Sequence, residues 1–188
     1  MKKDISWDKI KSETKSIWAG ETDPLPYNTT QPSTVNSVAF SYNNIEEWMA
    51  VAKGDKKGYI YGRNTNPTVE ILEKKVAILE GADTATAFSS GMAAISNTLF
   101  ANLKPGDRVI VGKDSYGGTS KIFMEFLPNF NIEVVFCDTT DTELFKKEIK
   151  KKCSLLYLET PTNPTLKIQD IKTLSNYAKA SNALVVVD

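Results

Sequence analysis

Between Thr84 and Asp188, short apolar runs rich in β-branched residues alternate with amphipathic runs of helical period. The alternation predicts strands at Thr84–Phe88, Arg108–Gly112, Ile132–Cys137, Ser154–Glu159 and Ala183–Asp188. Helices are expected over Met92–Leu103, from the loop Lys113–Gly118 to about Leu127, over Thr142–Lys150 with Leu144, Phe145 and Ile149 inward, and over about Ile168–Ser181. Strands that alternate with helices, some of them almost wholly apolar, indicate an α/β fold with a mostly parallel sheet and helices on both faces. Ligands of such sheets bind at the carboxyl ends of the strands. Here those ends are Ser89–Gly91, Lys113–Gly118, Thr160–Thr165 and Asp188.

Upstream the pattern is weaker. Pro24, Pro26 and Pro32 and many Thr, Ser and Asn residues interrupt any period, leaving short helices at Trp7–Ile17 and Ile45–Ala52. Residues 1–60 therefore read as an extended N-terminal arm, and 61–188 as the first part of a larger domain. Lys53–Gly58 is a solvated turn. After Pro67, Val69, Leu72, Val76 and Leu79 fall on one helical face, with Gly81 as the stop. A final strand without a covering helix leads to the expectation that the sequence is the N-terminal portion of a longer protein.

Charge and composition narrow the chemistry. Lys+Arg and Asp+Glu both number 23, so no net field draws the chain to nucleic acid or to an anionic membrane. The sequence holds no histidine, which excludes Ser-His and Cys-His catalysis and every His-containing metal site. Cys137 and Cys153 lack metal-ligand spacing and read as ordinary buried thiols of a reducing compartment. Scattered N-terminal charges and the lack of a membrane-length apolar run point to the cytoplasm. Lys146–Lys152 reads as a solvated helix face, and Asn28-Thr-Thr30 as a chance glycosylation acceptor. Gly112–Gly117 has phosphate-loop spacing, but Gly118-Thr119 stands where Lys-Ser/Thr is needed.

The turn Ser89–Gly91 opens a helix whose first amides lack intrahelical partners and lie at the positive end of the macrodipole. Ser90 there is a helix cap or part of a phosphate site, and Gly91 permits close approach of an anion. Asp188, after Val185–Val187, is costly to desolvate unless a cation meets it, and a protonated pyridine nitrogen is such a cation. With Tyr116 as an aromatic face, the same sheet edge offers the anchor, stacking surface and ring-nitrogen partner that pyridoxal phosphate needs. Singly, each residue has a plainer reading. Tyr61 is a strand aromatic, Arg63 a surface cation, Tyr116 a turn aromatic, Asn163 a turn former and Glu159 a solvated strand end.

The motifs Tyr61-Gly-Arg-Asn-Thr-Asn-Pro-Thr68, Ser89-Ser-Gly-Met-Ala-Ala-Ile95, Tyr116-Gly-Gly-Thr119, Glu159-Thr-Pro-Thr-Asn-Pro164 and Val185-Val-Val-Asp188 together resemble the cysteine/methionine-metabolism family of pyridoxal-phosphate enzymes. That family includes cystathionine γ-synthase, cystathionine γ-lyase, methionine γ-lyase and the O-acylhomoserine sulfhydrylases, and the resemblance spans roughly residues 15–188. It implies a fold-type-I transferase. Gly91 and Met92 amides with Ser90 would hold the cofactor phosphate, and Tyr61 and Arg63 would complete that site from a neighbouring subunit of a homodimer or homotetramer. Tyr116 would stack on the ring and assist proton transfer, Asn163 would contact the 3′-oxygen, Glu159 would support that loop, and Asp188 would keep the ring nitrogen protonated. Tyr116 and Asp188 are thus the expected catalytic residues.

The implied reaction is γ-replacement or γ-elimination on a sulfur amino acid or an O-acylhomoserine. The segment Tyr116-Gly-Gly118, with glycine where methionine γ-lyases carry cysteine, favours the synthase, cystathionine-lyase and sulfhydrylase members. The resemblance puts the cofactor-bearing lysine and the substrate-carboxylate arginine beyond Asp188; Lys121, after Thr119-Ser120, opens a helix and is set aside. Two rival readings are a catalytically inactive subunit that lends Tyr61 and Arg63 to a partner, and an unrelated doubly wound domain for phosphate ligands.

Overall fold

Parallel strands need long crossovers, and the amphipathic runs between the strands supply them as helices. In the computed structural model, which describes residues 6–21, 25 and 28–188, the chain forms two compact units, Met1–Ala87 and Phe88–Asp188. Pro24 and Pro26 and the first five residues of the charged N-terminus lie outside the described residues.

The second unit holds four strands, β1 (Arg108–Gly112), β2 (Glu133–Cys137), β3 (Leu155–Leu158) and β4 (Leu184–Val187), in the order β2-β1-β3-β4. Every pairing is parallel, with Ile110 opposite Val135 and Leu156, and Leu156 opposite Val185. Alternation along the pleat divides the core in two. Ile110, Leu156 and Leu158 pack with Phe145 and Ile149 of α7 (Thr142–Lys151) and with Leu174 and Ala178 of α8 (Ile171–Ala180). Val109, Val111, Leu155 and Tyr157 pack with Leu99 of α4 (Gly91–Asn102) and with Ile122, Phe123 and Leu127. The last three follow α5 (Gly117–Lys121), through a π-helical stretch Ile122–Phe126 into α6 (Leu127–Asn129). Helices thus cover both faces of the parallel sheet, as the alternation predicts.

Three expectations for the run from Thr84 onward change. Thr84–Phe88, at the junction of the units, is not a strand. It has no ladder partner among the described residues, and the Ala87 N–H donates to the Glu73 carboxylate at 2.8 Å. β-Branched composition favours extended backbone, but a strand also needs a neighbour for its N–H and C=O groups. α8 begins at Ile171 rather than Ile168, because the Asp170 side chain caps it by accepting from the Thr173 N–H at 2.9 Å. Within the Lys146–Lys152 run Glu148 is buried, paired with Arg108 across the sheet edge.

In the first unit the expected helix Trp7–Ile17 is a 3₁₀ turn Trp7–Lys9 followed by α1 (Ser12–Trp18), because Ile10 and Lys11 take extended conformations. α2 (Ile45–Ala52) forms as expected, capped by Asn44. α3 (Pro67–Glu80) is capped by Asn66, starts on Pro67 and stops at Gly81, whose φ of +64° is the left-handed conformation that a helix C-cap favours. Val69, Leu72, Val76 and Leu79 lie along α3, and each is at least 40 % exposed. Lys75 ties α3 to α1 by donating to Ile17 O and Glu21. Among the described residues no helix is long and apolar enough to cross a membrane.

Candidate functional site

The carboxyl ends of β1, β3 and β4 and the start of α4 surround one cleft of about 640 Å³ in the second unit. Ser90, Gly91 and Met92 line it from the α4 turn, Tyr116 from the loop after β1, Glu159 and Asn163 from the loop after β3, and Asp188 from the end of β4. Ile95, Thr160 and Pro161 complete the lining.

At the α4 turn Ser90 is the helix cap. Its Oγ accepts from the Ala93 N–H at 3.1 Å and so caps the third amide. The N–H groups of Gly91 and Met92 have no partner among the described residues, and a Cβ built on Gly91 would stand in open space. Two oriented amides thus remain for an anion.

Tyr116 opens α5 with its ring half exposed. A Cβ on Gly118 would come within 2.8 Å of Tyr116 Cε1 and 2.9 Å of Met92 Sδ, so the second glycine of the loop is what admits both side chains. Glu159 is buried rather than a solvated strand end. Its carboxylate accepts from the Tyr116 N–H at 2.9 and 3.2 Å and from the Asn163 N–H at 2.8 Å, joining the two loops.

Behind Glu159 a second set of polar residues holds the Asn163 loop. The Glu159 N–H donates to Gln169 Oε1 at 3.1 Å, and Gln169 Nε2 donates to Thr139 O at 3.4 Å. Asp114 accepts from Lys167 Nζ at 2.9 Å, Thr139 Oγ1 at 2.6 Å and Thr165 Oγ1 at 3.1 Å. The Lys167 hydrogen bond, then that of Thr139, holds the Asp114 carboxyl below its usual range, and Asp114 in turn raises the Lys167 ammonium. Sequence reasoning missed Gln169, Asp114 and Lys167. Gln169 falls where the pattern predicts helix, and nothing local links Asp114 to Lys167.

Asp188 continues the ladder, its N–H donating to Leu158 O at 2.8 Å and its C=O accepting from the Thr160 N–H at 3.3 Å. Asp188 is the last residue of the sequence and is exposed. The carboxylate accepts a hydrogen bond from the Tyr157 hydroxyl at 2.7 Å. Burial, and then the Asp188 hydrogen bond, push the Tyr157 phenol up.

Tyr61 and Arg63 belong to the first unit. The Arg63 guanidinium lies 5.2 Å from the centre of the Tyr61 ring, and both line a pocket of that unit with Val38, Gly62 and Asn66. Among the described residues no group of three or more Asp, Glu or Cys side chains could hold a metal ion. The cleft of the second unit presents unpaired amides, an aromatic ring and a carboxylate, a donor set that fits an anionic, aromatic, nitrogen-bearing cofactor.

Over residues 13–188 the sequence matches the family described as Cys/Met metabolism PLP-dependent enzyme. The chain belongs to this family. An L-methionine gamma-lyase of Fusobacterium nucleatum subsp. polymorphum is 42 % identical over 176 residues, which are 93 % of this chain and 44 % of that protein. Cystathionine beta-lyase MetC of Bacillus subtilis is 46 % identical over 183 residues, 93 % of this chain and 45 % of that protein. The solved structure of metB from Corynebacterium glutamicum superposes with a TM-score of 0.87 at 37 % identity, covering 98 % of this chain and 46 % of that one. The chain therefore has the fold of the fold-type-I pyridoxal-phosphate enzymes and spans under half the length of these relatives. As a member of the Cys/Met metabolism family it belongs among pyridoxal-phosphate enzymes.

Proposed function

We propose that the chain contributes most of a cofactor site in an enzyme that carries out γ-replacement or γ-elimination on a sulfur amino acid or an O-acylhomoserine. The observation that carries this reading is the single cleft that has the open Gly91 and Met92 amides on one side and the Asp188 carboxylate on another. The amides of Gly91 and Met92, with the Ser90 hydroxyl, bind the phosphate under the dipole of α4. Tyr116 offers its ring as a stacking face, and its phenol can hold or move a proton beside the substrate. Asn163 supplies a side-chain amide for the 3′-oxygen, while Glu159 fixes the backbone at both Tyr116 and Asn163. Asp188 favours a protonated ring nitrogen, since an opposite charge at close range stabilises the cation. Bound pyridoxal phosphate supplies an electron sink that lets negative charge develop at the Cα of an amino acid.

Tyr61 and Arg63 complete the phosphate site of a neighbouring copy in a homodimer or homotetramer, Arg63 as a bidentate partner. The family resemblance assigns the cofactor-bearing lysine to a part of the enzyme beyond Asp188. The substrate range draws support from relatives: structures of cystathionine gamma synthase from Xanthomonas oryzae pv. oryzae hold cystathionine, or aminoacrylate and cysteine, and that of cystathionine gamma-lyase from Lactobacillus plantarum holds L-serine.

The test is to load the full protein with pyridoxal phosphate and offer cystathionine, methionine, cysteine and O-acetylhomoserine with a thiol. The expected result is release of a 2-oxo acid or formation of a thioether from at least one of them, lost in D188A. A protein that retains no pyridoxal phosphate, or turns over none of these substrates, refutes the assignment.

A further inference from the structure

Tyr157 lies on β3 two residues before Glu159 and does not line the cleft. It is 1 % exposed, and its ring meets Phe123 edge-on with centroids 5.0 Å apart. A phenylalanine would fill that space as well, so packing accounts for the ring and leaves the hydroxyl unexplained. The register accounts for where the hydroxyl goes. Tyr157 stands opposite Val186 in the parallel β3–β4 ladder, and Asp188 follows two residues later on the same face. The hydroxyl therefore reaches Asp188 Oδ2 at 2.7 Å.

We propose that Tyr157 is a positioning residue for the cofactor site. Its hydroxyl holds one carboxylate oxygen of Asp188 and so leaves the other for the ring nitrogen of pyridoxal phosphate. The inference rests on the role given to Asp188 above and adds the group that orients it. Burial and the neighbouring carboxylate both disfavour the phenolate, so the phenol remains a donor across the working pH range. A freely rotating carboxylate would have to be ordered when the ring nitrogen docks; the Tyr157 bond orders it beforehand.

The test compares the full chain and its Y157F variant, each titrated with pyridoxal phosphate and with 1-deazapyridoxal phosphate, which carries C–H in place of the ring nitrogen. Y157F keeps the ring against Phe123. The expected result is a loss on the order of tenfold in affinity for pyridoxal phosphate, the size of one hydrogen bond to a charged group, with no change for the 1-deaza ligand. The ¹⁵N signal of the bound ring nitrogen should show deprotonation at lower pH in Y157F. Added to D188N, Y157F should produce no further change, because the two groups act as one unit. Equal effects on both ligands, or none on either, overturn the proposal.

A readout that needs no substitution is the hydroxyl-proton resonance of Tyr157, expected to shift with pyridoxal phosphate and not with the 1-deaza ligand; a response alike to both overturns the proposal. If the unsubstituted protein fails to distinguish the two ligands, the role of Asp188 fails and this inference with it. If it distinguishes them and Y157F does so equally, the role of Tyr157 alone fails.

Discussion

At the amino ends of β1 and β3 a buried cation is met from every side, whereas at the carboxyl ends of the same strands donors and acceptors face an open cleft. Arg108, 7 % exposed, donates to Glu133 at 2.8 Å, to the Glu148 carboxylate at 2.6 Å, and to the carbonyls of Glu148 and Lys152 at 2.9 and 2.8 Å. Ser154 bridges the same end by donating to Asp107 and accepting from the Arg108 N–H. At the other end the Gly91 and Met92 amides have no partner among the described residues, although the Glu159 carboxylate accepts from two backbone N–H groups. A closed polar network adds rigidity; open, oriented groups above a closed layer are what a ligand site requires.

Several substitutions would break or sharpen this contrast. R108A should have the largest effect on folding, because it takes one of two cationic partners from Glu148, leaving Lys151, and removes the donor to two carbonyls. The expected result is a lower denaturant midpoint than for any other substitution named below, with phosphate-ligand affinity per folded molecule unchanged. An equal fall in affinity would mean that the two ends are not independent.

E159A should cost about 2 kcal/mol, since it leaves the Tyr116 and Asn163 amides without their charged acceptor. Unlike R108A, it should also weaken pyridoxal-phosphate binding by calorimetry. E159Q, which keeps an acceptor oxygen, should fall between E159A and the unsubstituted chain. S90A removes a helix cap worth about 1 kcal/mol and should weaken inorganic-phosphate binding as well; a stability loss without that change would make Ser90 a cap alone.

The smallest effect is a pH dependence. Asp114 titrates below its ordinary value of 3.8 in the folded chain, so its contribution is complete above that pH and is lost as the pH falls through the lowered value. D114N should therefore flatten the acid limb of stability below about pH 4, with little change at neutral pH beyond the lost Lys167 pair. Acid unfolding monitored by circular dichroism checks this.

Much of the site was legible because its residues sit where local pattern and the rule of strand carboxyl ends coincide. Ser90, Gly91, Met92, Tyr116, Glu159, Asn163 and Asp188 all line the cleft for that reason. The plain readings failed at Glu159, whose burial follows from backbone amides that no periodicity reports.

The sequence alone determined the alternation of strands and helices, the Gly81 stop and the Ser90 cap, since each depends on residues within one or two turns of one another. Tertiary structure decided which extended runs became strands and which carboxylates met which donors. Thr84–Phe88 has strand composition and no ladder partner among the described residues. Tyr157 and Asp188 lie 31 positions apart, and Asp114 and Lys167 lie 53 apart. Such pairs are set by register and crossover, which bring distant side chains onto one face of the sheet only once the strands have paired.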